Sequence, residues 1–195
     1  PPRSTLFPYT TLFRSLTGTG INTKMIDNVI GVMKAYTTRV GEGVFPSELN
    51  DAVGQRIRDI AQEYGATTGR PRRCGWLDLL AVKYAQRING YTAYALTRLD
   101  MLDEFEEVKI AVGYKVNGEE IEEFLPTYSG IVEPVYVTFP GWQTPTQNIR
   151  SFEKLPVNAQ KYITFIEEYL ATPIEIVSVG PYREQSIYTN KVKIW

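Results

Sequence analysis

Apolar side chains recur every three or four residues in several stretches of the chain, which is the spacing of one face of an α-helix. One stretch ends at Gly65, and the next ends at Asn89-Gly90, a common helix stop. A third stretch begins after Pro156, and a shorter amphipathic stretch covers residues 24–33. The apolar faces of the three longer predicted helices are Leu49, Val53, Ile57, Ile60, Ala61 and Tyr64; Leu77, Leu80, Ala81, Tyr84 and Ile88; and Tyr162, Ile163, Ile166, Tyr169 and Leu170.

Runs rich in β-branched and aromatic residues alternate with these helices and predict strands. Asn117-Gly118 separates two of the runs, and this dipeptide is a strong signal for a two-residue hairpin. The predicted strands cover residues 91–99, 107–116, 119–124, 135–139 and 174–179. Because helices and strands alternate along the chain, the sequence predicts a mixed α/β core.

Composition narrows the possible functions. The charges nearly cancel, with 21 lysines and arginines against 22 aspartates and glutamates in 195 residues. This balance disfavours a nucleic-acid surface, so any local arginine cluster is expected to serve a small anionic ligand. The single cysteine, Cys74, excludes an intramolecular disulfide, and the lack of histidine removes the commonest zinc ligand. The single cysteine also leads us to expect a reducing compartment. Since no apolar run reaches the ~20 residues that span a bilayer, we expect a soluble protein without membrane partners.

The densest chemical signal is the run Gly65-Ala66-Thr67-Thr68-Gly69-Arg70-Pro71-Arg72-Arg73. Guanidinium groups bind carboxylates and phosphates, threonine hydroxyls add donors, and the glycines let the backbone approach a ligand. The predicted helix with Leu77 follows at once, so we expect the loop to lie at the positive end of that helix. The run therefore predicts an anion-binding site, with a solvated basic turn as the alternative.

Two further candidates stand at the carboxyl ends of predicted strands, where open α/β sheets bind ligands. Asp100 follows the strand over residues 91–99, and its carboxylate could accept two N–H groups from one edge of a guanine ring. Ser178-Val179-Gly180 follows the last predicted strand. A turn or helix cap at Asp100 and a structural turn at Gly180-Pro181 are the alternatives.

Three motifs in the chain resemble those of the adenylosuccinate synthetase family, in the family's order. They are Lys34-Ala35-Tyr36-Thr37-Thr38-Arg39-Val40-Gly41, the arginine-rich run continued to Asp78, and Thr97-Arg98-Leu99-Asp100. The variants Arg72-Arg73-Cys74-Gly75-Trp76-Leu77-Asp78-Leu79 and Asn89-Gly90-Tyr91-Thr92-Ala93 are closer to eukaryotic members than to bacterial ones. The resemblance covers residues 16–195. It implies an incomplete, P-loop-NTPase-like α/β domain with a mixed, mainly parallel central sheet and flanking helices.

The resemblance also implies a reaction. Members of the family join IMP and L-aspartate to give adenylosuccinate while GTP becomes GDP and phosphate, the first committed step from IMP to AMP. They use Mg²⁺, and we expect a cytoplasmic homodimer. The family's catalytic aspartate, its histidine and its phosphate loop belong to an N-terminal part that is not found in these 195 residues. We therefore expect this chain alone to be inactive, to lack the Mg²⁺ ligands and to leave sheet edges open.

The resemblance assigns ligands to two groups of residues. The substrate group is Val40, Gly41, Ala66, Thr67, Thr68, Gly69, Arg70, Pro71 and Arg72. The GTP group is Arg72, Arg98, Leu99, Asp100, Ser178, Val179 and Gly180.

Particular roles follow for some of these residues. Thr67 and Thr68 would bind aspartate, whereas Arg70 would bridge the aspartate carboxylate and the IMP ribose. Arg72 would stabilise carboxylate and phosphate charge, and Val40 and Gly41 would line the IMP ribose. Three positions depart from the family: Pro71 replaces a common arginine, Arg98 the usual lysine, and Val179 a threonine of many bacterial members. Arg73 is assigned no ligand.

The first fifteen residues do not share the resemblance. Residues 1–15 read as one translation frame of a short-read sequencing adapter, so we exclude them from the fold. Pro8 and the polar residues around it interrupt the apolar core that a signal peptide would need.

Two alternative functions remain open from the sequence. One is a related synthetase that acts on a guanine nucleotide, and the other is a non-catalytic guanine-nucleotide-binding module.

Overall fold

The computed structural model describes residues 18–20, 22–124 and 132–191. Residues 1–15, with their predicted adapter origin, lie outside the described part. The strands of the described part are β1 (Ile30–Lys34), β2 (Tyr36–Arg39), β3 (Arg73–Asp78), β4 (Ala93–Thr97), β5 (Glu107–Val116), β6 (Glu119–Ile121), β7 (Val132–Pro140), β8 (Ile174–Ser178) and β9 (Ser186–Tyr188). Its α-helices are α1 (Ala52–Ile60), α2 (Leu79–Asn89) and α3 (Val157–Leu170). The predicted α/β class is confirmed.

The first sheet has the strand order β1-β4-β8-β9. β4 runs parallel to both β1 and β8, and only β9 is antiparallel to its neighbour. Four of the five residues of β4 are buried, as expected for an inner strand of a parallel sheet. This sheet is mainly parallel, as the family resemblance implied.

A second, mixed sheet was not foreseen from the sequence. It has the order β2-β3-β5-β6, and outside this path β7 pairs with β5 along Glu107–Val116. β3 and β5 are parallel, whereas the remaining pairs are antiparallel. The chain passes from the first sheet to the second at Ala35, the single residue between β1 and β2. This residue is fully buried, and its carbonyl accepts a hydrogen bond from the Tyr162 hydroxyl of α3 at 2.8 Å.

The three longer helices form where the apolar spacing predicts them. Asp51 caps α1, because its side chain accepts from the Gly54 N–H at 2.9 Å. α1 ends at Ile60, five residues before the predicted stop, and Gly90 ends α2 in the left-handed conformation as predicted. The buried residues of α3 are Ala159, Tyr162, Ile163, Ile166 and Leu170, and Tyr169 is half-buried.

Three helix expectations are wrong. Residues 24–33 do not form a helix, because Ile30–Lys34 is β1, whose alternating burial and pairing with β4 outweigh the helical spacing. Ile88 does not lie on the buried face of α2, since it is exposed. Leu77 belongs to β3 rather than to α2.

The arginine-rich run also does not lie at the start of a helix, contrary to our expectation. Its last residue, Arg73, is the first residue of β3, and the other five residues of this strand separate the run from α2. The first turn of α2 is capped instead by Asp78. Asp78 Oδ1 accepts from the Ala81 N–H at 3.2 Å, and the Tyr114 hydroxyl donates to the same carboxylate. The helix dipole of α2 is therefore not available to a ligand of the loop.

Most predicted strands are confirmed with shifted ends. The strand over residues 91–99 is shorter, because Arg98 adopts a positive φ of 61° and Leu99–Leu102 forms a 3₁₀ turn. Asp100 therefore lies within that turn. Asn117 and Gly118 both have positive φ, as the predicted hairpin requires. β6 ends at Ile121, β7 runs from Val132 to Pro140, and β8 ends at Ser178.

We predict that Gly75→Ala destabilises the protein much more than Gly113→Ala. A Cβ on Gly75 would overlap the backbone carbonyl of Ser47, where residues 45–49 cross β3. Relief requires the backbone to move, so we expect the free energy of unfolding to fall by about 2 kcal/mol or more. Gly113 is the matched control, because its added Cβ would lie 3.5 Å from Val135 in ordinary contact. Urea unfolding monitored by circular dichroism measures both, and equal losses would contradict the close packing at Gly75.

Candidate functional site

Two loops form the walls of a cleft of about 680 Å³. One wall follows β2, and the other is the segment between α1 and β3. This volume is large enough for a small-molecule ligand. The lining residues are Arg39, Val40, Gly41, Glu42, Gly43, Gly65, Thr68, Arg70, Pro71, Arg72 and Arg73. We call this the loop cleft.

Backbone hydrogen bonds hold the second wall, residues 65–72, in a closed turn. The Gly65 N–H donates to the Arg70 carbonyl at 2.8 Å, and the Gly69 N–H donates to the Gly65 carbonyl at 2.8 Å. At its base, the Arg72 N–H donates to the Glu63 carbonyl at 2.9 Å. Residues 66–69 at the tip are exposed. The loop thus has a fixed base and a tip open to ligands.

The three arginines of the run lie in different environments. The Arg70 side chain is exposed, and its guanidinium has no ion pair or hydrogen bond within the described part of the chain. Arg73 is fully engaged with protein groups: it pairs with both carboxylate oxygens of Glu48 at 2.8 and 2.5 Å and donates to the carbonyls of Gly41 and Gly43. Arg73 therefore fixes the first wall of the loop cleft.

Arg72 pairs with a buried carboxylate that the sequence analysis missed. Glu63 is only 1% exposed, and its Oε2 accepts from Arg72 Nη1 at 2.7 Å. Its Oε1 accepts from Lys34 Nζ at 2.7 Å, the Tyr36 hydroxyl at 2.6 Å and Arg98 Nη1 at 3.1 Å. We call these five residues the Glu63 cluster.

The cluster keeps Glu63 ionised. Burial alone would raise its pKa, but the hydrogen bonds from Lys34, Tyr36 and Arg72 outweigh burial and lower the pKa of Glu63 to about 2. Burial and the bond to Glu63 raise the pKa of the Tyr36 hydroxyl, so this group stays protonated. Three cations around one anion leave the cluster with a net positive charge beside the loop cleft.

Within the Glu63 cluster, the guanidinium of Arg98 has further acceptors. Besides Glu63, its Nη1 donates to the Tyr36 oxygen at 2.9 Å and to the Ala61 carbonyl at 2.7 Å. The side chain is still 42% exposed, so part of its length remains open to solvent.

The carboxylate of Asp100 is only partly hydrogen-bonded within the described part of the chain. The residue is 6% exposed, and its Oδ2 accepts from the Gln147 carboxamide at 3.3 Å. Its Oδ1 has no hydrogen-bond partner in the described part of the chain. Burial raises the pKa of Asp100. A buried carboxylate with one unsatisfied oxygen is costly, and a donor from a ligand would satisfy it.

Two glutamines, Gln147 and Gln185, connect the segment 178–180 to Asp100. The Ser178 hydroxyl donates to the Gly180 carbonyl at 2.9 Å, which closes the turn. Gln185 packs against Gly180 so closely that a Cβ there would overlap its carboxamide. The Gln185 amide donates to the backbone carbonyl of Gln147 at 3.2 Å. Gln147 therefore connects the two predicted parts of the nucleotide site.

The structure thus groups the predicted residues into two regions. Val40, Gly41 and the residues of the second wall meet at the loop cleft, although Ala66, Thr67 and Gly69 stand at its exposed tip rather than in its lining. Asp100 and residues 178–180 form the other region, where Leu99 and Val179 are buried.

Sequence reasoning missed Glu63, Gln147 and Gln185. The signal for Glu63 was indirect, since a cluster of arginines in a folded chain needs a nearby carboxylate. Neither glutamine stands in a motif that the sequence analysis singled out.

The other reactive groups add little to the site. Cys74 is buried, and burial raises the pKa of its thiol. No group of three or more cysteine, aspartate or glutamate side chains among the described residues could hold a metal ion.

A second cleft, of about 560 Å³, lies between α2 and residues 122–124 and contains none of the predicted site residues. None of the described helices has the length and apolar character to cross a membrane.

Comparison with known proteins gives one consistent result. The family profile of adenylosuccinate synthetase matches residues 6–187, a range that overlaps residues 6–15, whose adapter origin remains a prediction. An adenylosuccinate synthetase of Brachyspira hyodysenteriae is 54% identical over 178 residues, and one of Candida tropicalis is 52% identical over 174 residues. These alignments cover 90% and 88% of this chain, but only 42% and 41% of the relatives.

A solved structure agrees with the sequence matches. The fully ligated adenylosuccinate synthetase from Plasmodium falciparum superposes with a TM-score of 0.85 at 42% identity, covering 94% of this chain and 46% of that one. This chain therefore spans less than half the length of its relatives. Because the family profile covers most of the sequence, the chain belongs to the adenylosuccinate synthetase family.

Proposed function

We propose that the full-length protein joins IMP and L-aspartate to adenylosuccinate and converts GTP to GDP and phosphate. The observation that carries the proposal is the loop cleft, in a chain of this family. There the Arg70 guanidinium, which has no partner among the described residues, lines the same cleft as Val40 and Gly41. An unpaired guanidinium in a concave site is suited to bind a carboxylate.

The chemistry has two steps. The purine O6 is a poor leaving group, so the γ-phosphoryl group of GTP is first transferred to it. The aspartate amine then attacks C6, the C6–O6 bond breaks, and phosphate leaves. Both steps concentrate negative charge, which fixed guanidinium groups stabilise without reorganisation.

The residues of this chain bind and orient the reactants. Thr67 and Thr68 hold aspartate, Arg70 bridges its carboxylate and the IMP ribose, and Arg72 stabilises carboxylate and phosphate charge. The exposed tip of the loop supports a role in closing over substrate. Arg98, Asp100 and the segment 178–180 hold GTP. The Oδ1 of Asp100, which has no partner among the described residues, supports the binding of guanine N–H groups.

Some requirements of the reaction lie beyond the described residues. We propose that the N-terminal part of the full-length protein holds the Mg²⁺ that the family uses. In line with its family, we propose a cytoplasmic homodimer for the full-length protein and no activity for the present chain alone.

We predict that Arg70→Ala removes most of the activity of the full-length protein. The variant loses a charged contact to aspartate, so kcat/KM for aspartate should fall about 100-fold or more. The control is Arg87→Ala, which changes an arginine 67% exposed in the second cleft and should stay within about twofold. Adenylosuccinate formation from IMP, aspartate and GTP measures both.

If the two variants are equally active, Arg70 does not bind substrate. A wild-type protein that binds GTP but makes no product would favour the binding-module alternative.

We predict that Asp100→Asn changes the nucleotide preference. A carboxylate accepts both the N1–H and the exocyclic N–H of guanine, whereas an asparagine offers one acceptor and one donor. The KM for GTP should rise about 100-fold, and XTP, which has a carbonyl in place of the exocyclic amine, should become the better substrate. Steady-state kinetics with GTP, XTP and ATP test this. Equal losses with GTP and XTP would show that Asp100 does not read the base.

A further inference from the structure

The two carboxylate oxygens of Glu63 form ion pairs with different arginines. Oε2 pairs with Arg72 at the base of the substrate loop, and Oε1 pairs with Arg98, two residues before Asp100. Both contacts use a single guanidinium nitrogen, Nη1. One side chain therefore contacts both Arg72, at the base of the substrate loop, and Arg98, beside Asp100.

Burial makes this connection rigid. Glu63 is 1% exposed, while the arginine side chains are 33% and 42% exposed. Each arginine is thus anchored at its inner side and open at its outer side. Arg72 also has a buried Nε without a partner in the described part of the chain, so its bonding is incomplete. Arg72 is therefore held through Nη1, and its partly exposed side chain can still contact a ligand.

The contacts to Lys34 and Tyr36 anchor Glu63 itself. Lys34 is the last residue of β1 and Tyr36 the first of β2, so the carboxylate is bonded to both sheets. The backbone adds a further bond, because the Glu63 carbonyl accepts from the Arg72 N–H. Arg98 and Arg72 are therefore connected through the atoms of one residue.

We propose that Glu63 is a positioning residue that fixes Arg72 relative to Arg98 and thereby couples the order of the substrate loop to the nucleotide site. The role in catalysis rests on the proposed function. Glu63 does not touch substrate in this scheme; it acts through Arg72.

The first test is a double-mutant cycle in the full-length protein. Glu63→Gln should raise the KM for aspartate about tenfold or more at saturating GTP, the effect expected for losing a charge-assisted hydrogen bond. In an Arg72→Ala background the same change should add less than about twofold, because the residue through which it acts is gone. Effects that simply multiply would overturn the proposal.

The matched control is Glu48→Gln. It removes the same charge from another partly buried glutamate–arginine pair, but its partner Arg73 is assigned no ligand. Its effect on the aspartate KM should combine independently with that of Arg72→Ala. If Glu63→Gln does not fold, Tyr36→Phe keeps the carboxylate but removes one hydroxyl donor to Glu63 and one acceptor of Arg98. It should raise the aspartate KM about threefold with the same dependence on Arg72.

Hydrogen exchange provides a readout that does not depend on the reaction. Amides of residues 65–72 should exchange about tenfold faster in Glu63→Gln than in wild type, and Glu48→Gln should leave them unchanged. Unchanged exchange in Glu63→Gln would overturn the ordering role of Glu63. If the wild-type protein makes no adenylosuccinate, the proposed function fails, and the exchange data still decide the positioning role.

Discussion

A buried carboxylate at the junction of two sheets organises the described part of this chain. Glu63 lies between α1 and β3 and accepts hydrogen bonds from the end of β1, the start of β2 and the residue after β4. Removing a carboxylate from water is costly unless it is paired and hydrogen-bonded, and here four donors satisfy it. The same contacts hold Arg72 at the base of the loop cleft. Structure and candidate site therefore depend on one set of ion pairs.

The crossing at Ala35 explains why these groups meet. The Ala35 N–H donates to the Thr97 carbonyl at 2.9 Å, and its own carbonyl accepts from Tyr162. The chain is thereby fixed where it leaves the first sheet for the second. Lys34 and Tyr36, on either side of this residue, are brought to the same carboxylate.

Local signals in the sequence predicted much of this fold. The apolar faces of α1 and α3, the stop at Gly90 and the hairpin at Asn117-Gly118 depend on neighbouring residues, so they can be read from the chain alone. Residues 24–33 misled us because the pairing of β1 with β4, which lies about sixty residues away, decides their conformation. The second sheet was missed for the same reason, since nothing local marks the change of sheet at Ala35.

In the candidate site, too, some features follow from local sequence and others depend on distant segments. Motifs led to the loop over residues 65–72 and to Asp100, but the contacts that position them come from distant segments. Glu63 precedes the glycine-rich run by two residues and reads as an ordinary surface glutamate. Gln147 contacts Asp100 from 47 residues away. Which side chains fill a site can be inferred from a motif, whereas what holds them requires the fold.

The most direct test of this account is the pKa of the Glu63 carboxyl group. Side-chain carbon NMR of ¹³C-labelled glutamate, with Glu63→Gln to assign the signal, measures it as a function of pH. If Lys34, Tyr36, Arg72 and Arg98 surround the carboxylate as described, Glu63 stays ionised well below the ordinary 4.5 and titrates at about 2. The cluster then stabilises the protein fully above the ordinary pKa and loses its contribution as pH falls toward the lowered one. A Glu63 pKa at or above 4.5 would contradict the cluster and the coupling built on it.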